Sequence, residues 1–146
     1  MTIPWELPDP HVVTVEVGPD DIDVYDHVNN AVYLTWLDRV AWSHSTALGV
    51  SPQMCAEIRR GMAALRIEID YVRAAVLGDP IAVGTWIVAS DRKLRVTRQF
   101  QVCHAVDGAT LARAVTEYVC VNLSSGKATR MPDVFSAAYA PRAQRA

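Results

Sequence analysis

The spacing of the apolar residues changes from a helical to a strand period after Gly61, and this change most constrains the fold. Between residues 30 and 48 the large apolar residues recur every three or four positions, which is the period of one helix face. After Gly61 the period becomes two, as expected for a half-buried strand: Leu65, Ile67 and Ile69 alternate with charged residues. One long helix must therefore cover the apolar face of a sheet, which predicts an α+β fold.

Turn residues divide the rest of the chain into five predicted strands, over residues 11–17, 65–71, 81–89, 94–102 and 111–123. Most of the connections are short and carry turn signals such as Asp107-Gly108, which favour antiparallel pairing. The third segment is apolar on both faces and is predicted to be central. We therefore expect a five-stranded antiparallel sheet with one sizeable helix as its cover.

The ends of two helices are marked by capping residues. Asn29 or Asn30 is a suitable N-cap for the long helix, and Gly49 is suitable as the residue just after its end. A second, short helix is predicted to begin at residues 51–52, with proline at its first position. It is predicted to end before Gly61, with that glycine as the residue after its end.

The domain organisation is simple. The chain has 146 residues, the length of one ordinary domain, and contains no linker or internal repeat. Three prolines in the first ten residues predict an extended N-terminal arm over 1–10. Residues 11–140 are predicted to form a single domain, and residues 141–146 a frayed tail.

Composition excludes several classes of function. Fourteen Lys and Arg against sixteen Asp and Glu give a net charge of −2, without the basic stripe of a nucleic-acid-binding protein. No apolar run is long enough to span a membrane, and the first residues lack the features of a secretory signal. The three cysteines are odd in number and form no CxxC, and the four histidines lack metal-ligand spacing. We expect a cytoplasmic protein with reduced thiols and no metal.

The residues most suggestive of chemistry lie just before the long helix, at positions 23–30. A helix N-terminus carries partial positive charge and unpaired N–H groups, so it can polarise a carbonyl oxygen. A carboxylate six or seven residues upstream, such as Asp23, could face the same point and act as base or nucleophile. The alternative is that Asp and Asn here only form turns and caps. His27 could be a general base or could simply bond the local backbone.

These residues resemble the signature of a known family. Residues 21–38, DIDVYDHVNNAVYLTWLD, resemble the D-x-D-x-x-G-H-V-N-N-x-x-Y motif of hotdog-fold acyl-CoA thioesterases of the 4-hydroxybenzoyl-CoA thioesterase family. They are also similar to a stretch of the plant acyl-ACP thioesterases. Residues 65–90 resemble the same family's R-x-x-x-x-Y…G-D segment, and residues 107–132 resemble its closing strand and turn. The resemblance covers roughly residues 11–135.

The resemblance implies a hotdog fold, in which a five-stranded antiparallel sheet wraps around one long central helix. It also implies homodimers joined sheet edge to sheet edge, which pair again in some members as tetramers, with active sites between subunits. Asp23 matches the family's catalytic aspartate, Asn30 matches the residue whose N–H polarises the thioester carbonyl, and Arg92 and Lys93 occupy a turn that relatives place on the CoA phosphates. One departure is Asp26, which stands where the family usually has glycine.

The predicted function is therefore hydrolysis of an acyl-CoA thioester to a free acid and CoA, with no cofactor beyond the CoA of the substrate. The alternatives are a hotdog hydratase or dehydratase and a non-catalytic acyl-CoA-binding protein. The predicted catalytic residues are Asp23, His27 and Asn30, and the predicted substrate-binding residues are Tyr25, Asp26, Asn29, Tyr33, Arg92 and Lys93.

Overall fold

The computed structural model describes residues 2–142, which form one five-stranded sheet with three helices. The sheet order is β1-β3-β4-β5-β2, and every neighbouring pair is antiparallel, as predicted. A short 3₁₀ helix at Pro19–Asp21 follows β1. The elements are β1 (His11–Glu16), α1 (Asn30–Ala47), α2 (Pro52–Ile58), β2 (Arg60–Tyr71), β3 (Pro80–Ser90), β4 (Arg95–His104), β5 (Thr110–Asn122) and α3 (Asp133–Ala138).

The predicted start of the long helix is confirmed. The side chain of Asn29 is the N-cap of α1 and accepts a hydrogen bond from the N–H of Ala31 at 2.9 Å. Gly49 follows the end of the helix with a φ of 97°, a left-handed conformation that favours glycine. The apolar face of α1 packs on the sheet, where Val40 and Phe100 belong to one buried cluster.

The predicted end of α2 is wrong. The left-handed residue that terminates this helix is Arg59, with a φ of 54°, and not Gly61. The reason is that β2 already begins at Arg60, which pairs with Asn122, so the chain must turn at Arg59, two residues before Gly61. Gly61 is buried inside the strand, where an added Cβ would lie 3.3 Å from the side chain of Leu123.

The connection from β2 to β3 is a crossover between different parts of the sheet. β2 pairs only with β5 at one edge, whereas β3 pairs with β1 and β4, so residues 72–79 cross the end of the sheet. Ala75 in this segment is buried, and its carbonyl accepts a hydrogen bond from the N–H of Val28 at 2.9 Å. The crossover therefore brings the end of β2 beside the start of α1.

The edge strand β2 is less buried than its alternating sequence predicts. Leu65 is 52% exposed and Ile67 is 45% exposed, and of the predicted apolar set only Ile69 packs against the core. Because β2 has a neighbour on one side only, its apolar residues meet solvent in the single chain. An edge of this kind is suited to pairing with another strand.

The N-terminal arm covers the face of the sheet opposite α1. Trp5 and Leu7 pack with Trp86 of β3, which explains why β3 is buried on both faces, as predicted for an interior strand. Gly84 makes this possible, since an added Cβ there would lie 2.7 Å from the Trp5 ring. Gln101 of β4 is buried beneath the arm, where its side-chain oxygen accepts a hydrogen bond from the N–H of Glu6.

No helix within residues 2–142 is both long and apolar enough to cross a membrane. The frayed tail predicted over 141–146 lies, from residue 143 onward, outside the described residues.

Candidate active site

A tight loop folds back on itself immediately before α1. Ile22 and Val28 form an isolated antiparallel bridge, the N–H of Asp23 donates to the carbonyl of His27 at 2.9 Å, and the N–H of Asp26 donates to the carbonyl of Asp23 at 3.1 Å. The loop closes so tightly because Asp26 adopts a left-handed conformation with a φ of 60°. This is where the family motif has glycine, the residue that adopts such a φ without strain.

The loop brings the Asp23 side chain to the beginning of α1, as predicted. Asp23, His27 and Asn30 line one open pocket of about 230 Å³ at the end of the sheet. One carboxylate oxygen of Asp23 accepts a hydrogen bond from the N–H of Tyr25 at 2.9 Å, which fixes the orientation of the carboxylate. Tyr25 itself is 77% exposed at the mouth of this pocket.

The first peptide of α1 presents an unused donor to this pocket. The carbonyl of Asn30 accepts a hydrogen bond from the hydroxyl of Tyr71 at 2.8 Å, and the side-chain oxygen of Asn29 accepts one from the N–H of Ala31. Among residues 2–142, no group accepts a hydrogen bond from the N–H of Asn30. Such a donor at a helix N-terminus can stabilise negative charge that develops on a carbonyl oxygen.

Two tyrosines form the wall of the pocket beside α1. The rings of Tyr33 and Tyr71 meet edge to face with centroids 5.2 Å apart, and the hydroxyl of Tyr33 accepts a weak hydrogen bond from the N–H of Ala75 at 3.4 Å. Burial raises the pKa of both phenols, which keeps them neutral near pH 7. Tyr71 was missing from the predicted site, although it is the tyrosine of the R-x-x-x-x-Y motif.

The remaining predicted site residues are distributed unevenly. Asp26 is exposed and adjoins the pocket only through the loop backbone, and Asn29 uses its side chain to cap α1. His27 is exposed at the pocket, and its carbonyl holds the loop closed. Tyr33 is almost completely buried, so it supports the pocket from behind.

Arg92 and Lys93 are not brought to Asp23 within one chain. They lie in the exposed turn between β3 and β4, whereas Asp23 lies beyond the opposite end of these strands, about 30 Å away by strand length. The turn is rigid because the Asp91 carboxylate accepts three backbone N–H groups, which lower its pKa to about 2. Arg92 completes the turn with a φ of 60°.

The described part of the chain offers no evident metal centre. Within residues 2–142, no cluster of three or more His, Cys, Asp or Glu side chains could hold an ion. His11 and His44 do stack, with ring centroids 4.9 Å apart, but burial and the neighbouring Arg98 guanidinium lower the pKa of His44 to about 3. His44 is engaged with that guanidinium through its Nδ1 atom.

Comparison with known proteins places this geometry in a family. The profile of the thioesterase-like superfamily matches residues 17–139. The long-chain acyl-CoA thioesterase FadM of Escherichia coli (strain K12) is 30% identical over 114 residues, which cover 78% of this chain and 85% of that protein.

Solved structures agree on the fold. The 1,4-dihydroxy-2-naphthoyl-CoA thioesterase Slr0204 from Synechocystis superposes with a TM-score of 0.81 at 21% identity, covering 90% of this chain and 96% of that one. The protein SAV2348 from Staphylococcus aureus, solved in complex with CoA, superposes with a TM-score of 0.82 at 20% identity, covering 89% and 81%. These likenesses confirm the predicted α+β hotdog architecture with its five-stranded antiparallel sheet.

Proposed function

The chain belongs to the thioesterase-like superfamily, and from that premise we propose that it hydrolyses an acyl-CoA thioester to a free carboxylic acid and CoA. The observation that carries the proposal is the pocket lined by both Asp23 and Asn30, because the N–H of Asn30 has no acceptor among residues 2–142. A relative named as a long-chain acyl-CoA thioesterase and a structural neighbour solved with CoA support CoA as the carrier.

In the proposed mechanism, Asp23 is a nucleophile or a general base. As base, it removes a proton from water while the water oxygen bonds to the thioester carbonyl carbon. As nucleophile, it bonds to that carbon itself, and water then hydrolyses the anhydride. In either route the carbonyl oxygen gains negative charge, which the N–H of Asn30 stabilises, and collapse breaks the C–S bond. The CoA sulfur leaves as thiolate and takes up a proton.

The other pocket residues hold these two groups and the substrate. We propose that Tyr71 holds the start of α1 in place through its 2.8 Å hydrogen bond to the carbonyl of Asn30. His27 and Tyr25, both exposed at the pocket, contact the thioester or the pantetheine arm. Tyr33 and Asn29 keep the helix start in place, and Asp26 supplies the left-handed turn that closes the loop beside the substrate.

Release of free thiol tests the proposed activity. The purified chain, assayed against aromatic, branched and straight-chain acyl-CoAs, is expected to release CoA thiol with at least one of them. A change in enoyl absorbance without thiol would indicate a hydratase instead. Saturable binding of acyl-CoA with neither change would indicate a binding protein and would contradict the proposal.

We propose that the active form is a homodimer joined through β2, in the arrangement where each sheet wraps around its α1 helix. The exposed apolar residues of this edge strand, Leu65 and Ile67, support that choice. In a twofold antiparallel pairing, the beginning of β2 in one protomer lies beside the end of β2 in the other. The partner's turn at residues 91–94 then lies at the same end of the joined sheet as Asp23.

The proposed dimer is expected to persist at micromolar concentration in sedimentation equilibrium. Ile67→Lys places a charge on the apolar face of the joining strand and is expected to shift the protein toward monomer. Val134→Lys, at a similarly exposed apolar residue on α3, is the matched control and should leave the dimer intact. A stable monomer for the unmodified chain would remove the shared site.

The double substitution Arg92→Ala, Lys93→Ala is expected to raise KM for acyl-CoA roughly threefold to tenfold with kcat nearly unchanged. The reason is that these exposed charges would bind the CoA phosphates equally well in the ground state and in the transition state. The effect should shrink as salt is added, since exposed charges are screened. Arg39→Ala removes one exposed cation from α1 and controls for the loss of a positive charge outside the turn. An unchanged KM at low ionic strength would exclude the turn from the site.

The proposed reaction uses only water and protein groups, because a thioester is already activated, and CoA enters as part of the substrate. We propose a cytoplasmic location because the cysteines are free thiols. Cys55, Cys103 and Cys120 are all buried as free thiols, which is typical of a reducing compartment.

A further inference from the structure

An arginine is buried in the core without a carboxylate partner. Arg98 of β4 is 2% exposed, and its guanidinium donates to Nδ1 of His44 at 2.8 Å and to Oγ of Ser45 at 3.1 Å. The hydroxyl of Thr85 is a third, longer acceptor at 3.5 Å. All three acceptors are neutral, and no carboxylate within residues 2–142 forms a salt bridge with Arg98. Its Nε–H is buried and has no acceptor in the same part of the chain. A buried cation without a counter-ion carries a large desolvation cost.

This guanidinium borders a small pocket between α1 and the sheet. The pocket encloses about 70 Å³ and is mostly apolar, and Arg98 is its buried charged residue. The carboxylate residue Asp38, which is exposed on α1, also lines this pocket. The lining side chains come from α1, α2, β2, β4, β5 and the residue after α3, and include Trp42, Cys55, Met62, Val96, Tyr118 and Tyr139. An apolar wall that ends in an unsatisfied guanidinium matches an alkyl stem that ends in an anion.

One side of α1 connects the proposed catalytic pocket with this second pocket. Asn30, Leu34, Asp38, Ala41 and Ser45 are three or four positions apart, so they lie along the same side of the helix. Leu34 is exposed on this side. At 1.5 Å per residue, the second pocket lies about 12 to 22 Å along the helix axis from the N–H of Asn30. An extended acyl chain spans such a distance.

The edge strand β2 follows the same path. Tyr71, at its end, contacts the Asn30 peptide, and Met62, near its beginning, lines the second pocket. Between them, Ile67 lies two residues from Ile69, which packs on the α1 side of the sheet, so its side chain lies on that face too. The exposed apolar surface of β2 therefore continues from one pocket toward the other.

We propose that Arg98 binds a carboxylate at the distal end of the acyl group, so that the substrates include ω-carboxyacyl thioesters. This inference rests on the proposed thioesterase activity and names a substrate class for it. The distal carboxylate accepts hydrogen bonds from the guanidinium, including the otherwise unused Nε–H, while the alkyl stem lies against α1 and β2. Arg98 is then a specificity-determining residue that contacts the substrate far from the reacting carbonyl.

Paired substrates test the inference directly. Thioesters of CoA with a medium-to-long alkyl acid and with the ω-carboxy acid of equal length are compared by kcat/KM. The unmodified enzyme is expected to prefer the ω-carboxy substrate roughly tenfold or more, the usual range for a charge-assisted hydrogen bond. Arg98→Met is expected to abolish or reverse this preference. Arg95→Met, the same change at an exposed position of the same strand, should retain it.

Measurements of folding and of ligand binding by Arg98→Met separate a lost carboxylate site from a lost fold. An apolar residue of similar volume commonly replaces a buried charge without loss of the fold, so Arg98→Met should remain folded. If Arg98→Met does not fold, Arg98→Lys is the second variant, because it keeps the positive charge but lacks the guanidinium. The free dicarboxylic acid should raise the melting temperature of the unmodified protein and not that of Arg98→Met. Equal kcat/KM for the paired substrates would overturn the inference alone. Hydrolysis of neither, together with no thiol release from the aromatic and branched acyl-CoAs, would overturn the proposed function, and the melting shift would then decide whether Arg98 binds a carboxylate.

Discussion

Replacing Asp23 by asparagine is expected to lower kcat by about 10²–10⁴-fold, the contribution usual for a positioned acid or base, and to leave acyl-CoA binding largely intact. The amide removes the negative charge but keeps an oxygen that can accept the N–H of Tyr25, so the loop should retain its shape. Thiol release gives kcat, and calorimetric titration with a slowly hydrolysed acyl-CoA gives the binding constant.

Neighbouring substitutions serve as controls for this result. Asp26→Gly restores the usual family residue at a position whose φ is 60°, and it should keep substantial activity, with a changed acyl preference. His27→Ala removes an exposed ring and should leave measurable turnover. The assignment would be wrong if Asp23→Asn were nearly as active as the unmodified enzyme while Asp26→Asn were inactive.

Replacing Asn30 by proline is expected to reduce kcat about 10²–10³-fold, because proline lacks the N–H that stabilises the oxyanion. The change should leave the helix intact, since proline is favoured at the first helical position. Asn29 already has a φ of −57° and a ψ of 135°, the extended conformation that a residue before proline prefers. The melting temperature should therefore stay close to that of the unmodified protein while turnover is lost.

Asn30→Ala is the matched variant for this experiment. It removes the side chain and keeps the backbone N–H, so its kcat is expected to remain within severalfold of the original. If alanine and proline reduced kcat equally, the side chain of Asn30 would carry the effect, and the proposed oxyanion donor would have to be sought elsewhere in the pocket.

The sequence predicted those parts of the fold that depend on residues close together along the chain. The helix start at Asn30 follows from the apolar spacing and from the side-chain cap at Asn29. The interior position of β3 follows from a segment that is apolar on both faces. The end of α2 at Arg59 did not follow, because long-range pairing of β2 with β5 decides where the chain turns. The crossing of residues 72–79 is likewise a property of the sheet.

The candidate site divides in the same way. Asp23 and Asn30 are joined by a short loop, so their proximity could be predicted from neighbouring residues. Tyr71 reaches them only because β2 ends beside α1, a placement that depends on the whole sheet. Arg98 had a signal that was overlooked: it occupies the position of β4 at which alternation with Val96 and Phe100 demands an apolar residue.

The arm that holds Trp5 and Leu7 against the sheet changes how the domain is layered. A two-layer domain leaves one sheet face in water, but here the first residues provide a third layer, and Gln101 becomes an interior group that bonds to Pro4 and Glu6 of the arm. A short terminal segment, ordinarily the most dispensable part of a chain, thus covers Trp86 and Val88 on the face of the sheet opposite α1. Loss of the first ten residues would therefore expose an apolar part of the sheet to water and remove the partners of Gln101 in Pro4 and Glu6.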